Sequence, residues 1–165
     1  MHEAFLRALS GSVLSHSNLA RKPLEADLRP PLPHRVRLYL FKATYPPGGR
    51  TLGEHKIQLM VPGQQRRQRA SFDYSDGRIV LLGGYRSDLE VFVLWDADLY
   101  ADFPFSRNVQ VKAETIYVAL AGQIGMQERH IRGKGVETVL TSRADLLHKA
   151  ILLRMELTFK RLTGS

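Results

Sequence analysis

At 165 residues and 44% hydrophobic content, the chain is long enough to bury one proper core, and a single compact domain is expected. It has no cysteine, which excludes disulfide scaffolds, thiolate metal sites and cysteine nucleophiles. No run approaches the ~18 apolar residues of a membrane helix and no basic-then-apolar leader opens the chain, so a soluble, cytoplasmic protein that meets no membrane is expected. Twenty-four Lys and Arg against 16 Asp and Glu leave a net charge of +8, which points to an anionic partner such as nucleic acid.

Along the chain, Phe5, Leu6, Leu9, Val13 and Leu14 recur at near-helical spacing and predict a short, broken helix within Met1 to Leu24. Arg29-Pro-Pro-Leu-Pro33 cannot continue a helix and reads as an extended connector, so residues 1–33 form a helical segment with a proline-rich link and residues 34–165 the compact domain. Val36, Leu38 and Leu40 alternate with Arg37, Tyr39 and Phe41 in a first strand, which Tyr45-Pro-Pro-Gly-Gly49 stops. Ile57 to Val61 is a second strand closed by Pro62-Gly63, and Gln64-Gln-Arg-Arg-Gln-Arg69 follows as a basic loop. Ser71 to Tyr74 reads as a third strand, Ser75-Asp-Gly77 as a hairpin turn, Arg78 to Leu82 as a fourth strand, and Gly83-Gly84 as the next turn. Leu89 to Asp96 is the most apolar and β-prone run and is read as the central strand. It delivers the loop from Asp98 to Asn108, after which Val109-Gln-Val-Lys112 restores alternation.

Beyond Lys112 the period changes, and Ile116, Ala119, Leu120 and Gln123 predict a helix from Glu114 to Gln123. Glycines bracket a polar loop from Gln127 to Lys134, Val136 to Leu140 is a last strand, and Ser142 with Asp145 reads as the cap of a helix through about Arg154. The sum is a β-dominated α+β fold: an open, mainly antiparallel pseudo-barrel of five to seven strands with two helices, burying Leu38, Leu40, Ile57, Leu59, Val80, Val91, Val93, Val139 and Leu147.

Catalytic constellations are sparse. Glu54-His-Lys56 is half of a metal-dependent nuclease signature, but the second half needs an upstream acid, and only Asp27 is available, across the connector. His55, His130 and His148 lack metal-ligand spacing, no serine sits in a nucleophile elbow, and no phosphate-binding loop occurs, so no catalytic residue, metal or cofactor is assigned. Trp95 is read as core.

Binding chemistry is denser. Residues 61–72 carry Arg66, Arg67 and Arg69 without an acid, whereas 86–102 carry Asp88, Glu90, Asp96, Asp98 and Asp102 against Arg86 alone. Guanidinium forks at Arg66, Arg67 and Arg69, with Gln64 among them, suit phosphates and base edges. Ser106, Arg107, Asn108, Gln110 and Lys112 combine phosphate donors with the side-chain types that read guanine and adenine in the major groove. Tyr45, Arg50 and Thr51 form a third polar patch, and Arg129, His130, Arg132 and Lys134 a fourth.

The order strand, arm (Tyr45 to Gly53), strand, basic loop (Gln64 to Arg69), strands, central strand, second arm (Tyr100 to Lys112), helix, strand, helix resembles the pseudo-barrel DNA-recognition domains of some bacterial restriction endonucleases, which are similar to the plant B-three transcription-factor domain. The resemblance spans about residues 34–155 and rests on element order and arm chemistry. It implies that two arms enter the major groove of double-stranded DNA, with Arg50 and Thr51 on the first and Ser106, Arg107, Asn108 and Gln110 on the second. It also implies that a nuclease domain or subunit is the partner and that this chain itself is not an enzyme. Three alternatives stay open: a modified-base reader whose pocket is lined by Trp95, Tyr85 and Phe92, a metal-dependent nuclease using Glu54 and Lys56, and a protein-interaction barrel.

Overall fold

The computed structural model describes residues 1–45 and 53–164. In chain order they form helix α1 (His2–Ala8), strands β1 (Val13–His16), β2 (Leu24–Leu28), β3 (Arg35–Lys42), β4 (Glu54–Leu59), β5 (Arg69–Ala70), β6 (Ile79–Arg86), β7 (Val91–Trp95), β8 (Phe103–Pro104) and β9 (Arg107–Lys112), helix α2 (Ala113–Leu120), strands β10 (Gly125–Ile131) and β11 (Gly135–Arg143), and helix α3 (Leu147–Thr163). Seven strands make one mixed sheet in the order β1-β2-β3-β6-β7-β11-β10, and β4–β9 and β5–β8 make two small ribbons. Every pairing is antiparallel except β3 with β6.

The alternation legible in β6 and β7 divides the core between the two faces of this sheet. Val80, Leu82, Val91, Val93 and Trp95 pack with Ile57, Leu59, Val109, Val111 and Ile116 from the β4–β9 ribbon and α2 on one face. Leu81, Tyr85, Phe92 and Leu94 pack with Phe5, Leu24, Leu147 and Ile151, from α1, β2 and α3, on the other. All nine residues expected in the core are buried. The circuit of strands stays open. Thr44 exchanges two backbone hydrogen bonds with Lys56, tying the end of β3 to β4, but among the described residues no backbone ladder joins β9 to β10.

Several local expectations are corrected. The helix predicted within residues 1–24 ends at Ala8, and Leu24, Ala26 and Leu28 instead alternate inward on β2, which pairs with β3. Residues 1–33 therefore share a core with the rest, through Phe5, Leu9, Leu24, Leu28 and Leu32. Residues 71–74 form no strand; the third strand is the two-residue β5 before them, and a short 3₁₀ turn at Ser75–Gly77 leads into β6. Gly83 and Gly84 lie inside β6, not at a turn. A Cβ at position 84 would stand 2.9 Å from Ile57 Cγ2 and 3.0 Å from Trp95 Cζ3, so the close packing there requires glycine. Residues 125–131 are a strand, not a loop, and Ser142 caps nothing: it is buried on β11 opposite Phe92, and α3 starts at Leu147 and runs past Arg154 to Thr163.

Candidate nucleic-acid interface

The β4–β9 ribbon positions the candidate site. Its inward face is apolar, with His55, Ile57 and Leu59 on β4 and Val109 and Val111 on β9 all buried. Period-two alternation then sends every other side chain to the opposite, solvent-facing side. The register sets Glu54 opposite Lys112, Lys56 opposite Gln110, and Gln58 opposite Asn108. The outer face thus carries three amides, two lysines and one carboxylate, Glu54, in three cross-strand pairs.

The ribbon is held from behind. The Gln110 carbonyl accepts from Arg129 Nη1 at 2.5 Å and from Trp95 Nε1 at 3.3 Å, and the Lys112 amide donates to Gln127 Oε1 at 2.7 Å. Side chains of β7 and β10 therefore occupy the seam where a closed barrel would have backbone pairing. Arg129 also stands 3.6 Å from Glu137, which takes a hydrogen bond from the Tyr100 hydroxyl at 2.6 Å and from the Asp96 amide at 3.1 Å. Burial pushes the Glu137 carboxyl up, against the downward pull of Tyr100, the Asp96 amide and Arg129. Burial likewise raises the Tyr100 hydroxyl, and the neighbouring Glu137 charge adds to it. Asp96 is itself clamped by Arg161 at 2.7 Å and Arg154 at 3.5 Å. This buried ionic cluster is scaffold, and it fixes the root of the loop that runs into β9.

Residues 34–151, which contain the ribbon, the basic loop and the seam, match the sequence model of a family described as methylase-associated X1. The chain belongs to this family. No curated protein and no solved structure matched it. The family's description suggests a role in a restriction–modification system, with a methylase or restriction enzyme as partner. The matched segment starts where β3 begins and leaves out α1, β1 and β2, although β1 and β2 are strands of the same sheet and α1 packs on it.

Within the family segment the expected site residues separate into free and committed groups. Asn108 and Lys112 are exposed on the ribbon's outer face, with the partly exposed Gln110 between them. Arg66 and Arg67 are exposed in the loop that follows β4 and make no hydrogen bond or ion pair among the described residues. Arg69, by contrast, binds both carboxylate oxygens of Asp102 through Nε at 2.8 and 2.9 Å, so the most acidic stretch neutralises part of the basic loop. Gln64 clasps its own loop by accepting from the Val61 amide and donating to the Gln68 carbonyl. Arg107 stacks on the Tyr100 ring, 5.1 Å from its centroid, and Ser106 takes a left-handed backbone, φ 60°, at the turn into β9. Tyr45 accepts from the Gly53 amide and sets its ring edge-on against His55, whereas Arg50 and Thr51 lie outside the described residues. Lys134 donates to the Leu99 carbonyl at 2.6 Å, and Arg132 is exposed at the β10–β11 turn.

Two residues of the outer row, Lys56 and Gln58, went unassigned in the binding reading of the sequence. Their signal was the strict alternation of His55, Ile57 and Leu59, which fixes the facing of the residues between them. The alternatives fare less well. Trp95 belongs to one face of the sheet and Phe92 and Tyr85 to the other, so these three aromatics cannot line one pocket. Asp27 is on β2, paired with Arg78 at 3.0 Å and bonded by Ser15, while Glu54 faces Lys112 on the ribbon; among the described residues no three His, Asp or Glu side chains converge as metal ligands. His55 Nδ1 is buried without a partner, and burial, then the Arg86 charge, lowers its pKa, so the ring is held neutral inside the ribbon. No helix among the described residues is long and apolar enough to cross a membrane.

Proposed function

We propose that this domain is the sequence reader of a restriction–modification system, laying the outer face of the β4–β9 ribbon into the major groove of duplex DNA. One observation carries the reading: a two-stranded ribbon presents Lys56, Gln58, Asn108, Gln110 and Lys112 together on one side, with Glu54 beside Lys112 at one end. The major groove, roughly 12 Å wide, admits a two-stranded ribbon, and Asn and Gln amides can make paired hydrogen bonds to adenine while Lys meets guanine or phosphate. Arg66 and Arg67, at the ribbon end marked by Leu59 and Arg107, supply phosphate contacts that set register. Arg50 and Thr51 join the proposal as a first arm on sequence grounds. The chain binds and does not cut; cleavage belongs to a nuclease domain or subunit.

Selection from randomised duplex, followed by anisotropy titration, tests this. Gln58→Ala and Asn108→Ala should each cost on the order of 1–3 kcal/mol on the selected duplex and leave an unrelated duplex unchanged. Arg66→Ala or Arg67→Ala should weaken binding to every duplex and reduce the slope of log affinity against log salt by about 0.9. Selected duplex in methylated and unmethylated form distinguishes a reader of sequence from a reader of modification. Failure to enrich any sequence, or silence of all four substitutions, would remove the reading. Incubation with Mg²⁺ should leave the duplex intact, and cleavage lost in Glu54→Ala would replace a binding role with a nuclease.

A further inference from the structure

Thr44 and Lys56 bridge β3 to the chain of β4, and beside that bridge an opening along β3 has the chemistry of a strand-binding cleft. Antiparallel pairing fixes which backbone groups face which way. The Leu28 amide bonds the His34 carbonyl, and the pairs Ala26 with Val36 and Leu24 with Leu38 continue the β2 ladder, so even-numbered residues of β3 present their N–H and C=O to that side. That ladder ends at Leu38. Thr44 is next paired on the same side, with Lys56 of β4. Leu40 and Lys42, between them, direct their backbone groups into the gap and have no partner among the described residues. Beyond Lys56 the chain of β4 leads on to Met60, Val61 and Pro62, which stand across the gap from β3.

The gap is a cavity of about 460 Å³. Leu38, Leu40, Phe41, Met60 and Val61 make its walls apolar, and Lys22 and Lys42 rim it without an ion pair among the described residues. Unpaired edge groups normally invite another strand, and an edge lysine discourages pairing with a second copy of the same basic edge. It favours an acidic strand instead.

We infer that this cleft takes an extended, acidic segment of a partner protein by strand addition, its backbone pairing with Leu40 and Lys42 and its carboxylates meeting Lys22 and Lys42. Backbone pairing supplies affinity, alternate side chains reach the apolar walls, and the lysine rim selects charge. Opposite β3 the wall is the chain just after β4, Met60 to Pro62, and not the ribbon proposed to read DNA. The inference does not depend on that proposal, since it rests on the β3 edge alone.

The probe is a fluorescein-labelled eight-residue peptide of alternating Glu and Val, with a Lys and Val peptide as control. Anisotropy should show saturable binding of the acidic peptide only, and N-methylation of every second peptide amide should abolish binding in one phase and spare it in the other. Lys22→Glu and Lys42→Glu should each weaken the acidic peptide by roughly two- to fivefold, a surface-pair effect, and the double variant should accept the basic peptide. Amide exchange provides a readout independent of these variants: the Leu40 and Lys42 amides should exchange fast in the free protein and slow in the complex. Equal binding of both peptides, indifference to N-methylation, preference for a single-stranded oligonucleotide, or Leu40 and Lys42 amides already protected in the free chain would each overturn the inference. A domain that binds the peptide but no duplex would sink the DNA reading and leave this one standing.

Discussion

Truncating Arg129 tests whether the seam between β9 and β10 holds the ribbon in place. The guanidinium serves two acceptors, the part-buried Gln110 carbonyl at 2.5 Å and the buried Glu137 carboxylate at 3.6 Å. Arg129→Ala leaves Gln110 with the longer bond from Trp95, and Glu137, 1% exposed, with Tyr100 and the Asp96 amide. Removing one partner of a fully buried ion pair costs roughly 3–5 kcal/mol. The Arg129 side chain is 25% exposed and Glu137 keeps two donors, so the expected loss is lower, about 2–3 kcal/mol. Urea unfolding followed by circular dichroism should show the midpoint falling with an unchanged slope. Trp95 emission should shift to the red, because the Gln110 carbonyl that its indole bonds is no longer held by Arg129 and water reaches the seam. Arg129→Lys restores the charge but cannot fork to both groups, and should recover only part of the loss. A change below about 0.5 kcal/mol, the range of an ordinary surface substitution, with unaltered Trp95 emission, would mean that β4 pairing alone holds β9. The link from the seam to the rigidity of the ribbon would then fail.

Arg69→Ala should leave the salt dependence of the proposed DNA binding almost unchanged because Asp102 already neutralises that guanidinium, whereas Asp102→Ala should release it and steepen the slope by up to about 0.9, read by titration at several salt concentrations. Glu137 has a raised folded pKa, so the native state holds its proton more tightly and stability falls as pH rises from about 4.5 through that raised value; Glu137→Gln should erase this fall in a series of urea melts. Asp27, Asp73 and Asp88 have lowered values and work in the other direction, so stability lost as pH drops below about 3.8 should persist in the same variant. Gly84→Ala places a methyl against Ile57 and Trp95 and should cost roughly 1–3 kcal/mol of overpacking, a fall in Tm of about 2–4 °C per kcal/mol by calorimetry.

What could be read from the sequence was whatever one face of an element declares by its own period. β3 and β9 showed their alternation openly, β7 declared itself by an unbroken apolar run, and the outer residues Asn108, Gln110 and Lys112 followed from the alternation of β9. β10 was hidden because its inward residues Gln127 and Arg129 are polar, satisfied by the Lys112 amide, Gln110 and Glu137 rather than by apolar packing. β2 carried a clean signal in Leu24, Ala26 and Leu28, masked by the helical spacing just before it. Gly83-Gly84 imitated a turn because glycine serves both turns and tight packing, and only the position of Trp95 and Ile57 decides between them. The pairing of Arg69 with Asp102 joins two loops far apart in the chain, and no local pattern announces it.

The alternation of the β4–β9 ribbon also bears on how such a domain can diverge. Its inward residues, His55, Ile57, Leu59, Val109 and Val111, belong to the core and tolerate little change. The outward positions 54, 56, 58, 108, 110 and 112 contribute little to the core, so mutations there are nearly neutral for folding, mostly within about 0.5 kcal/mol. If the outer face reads DNA as proposed, selection can exchange one target preference for another without passing through unfolded intermediates. An engineer could use the same freedom by randomising those six positions as a library on an unchanged scaffold.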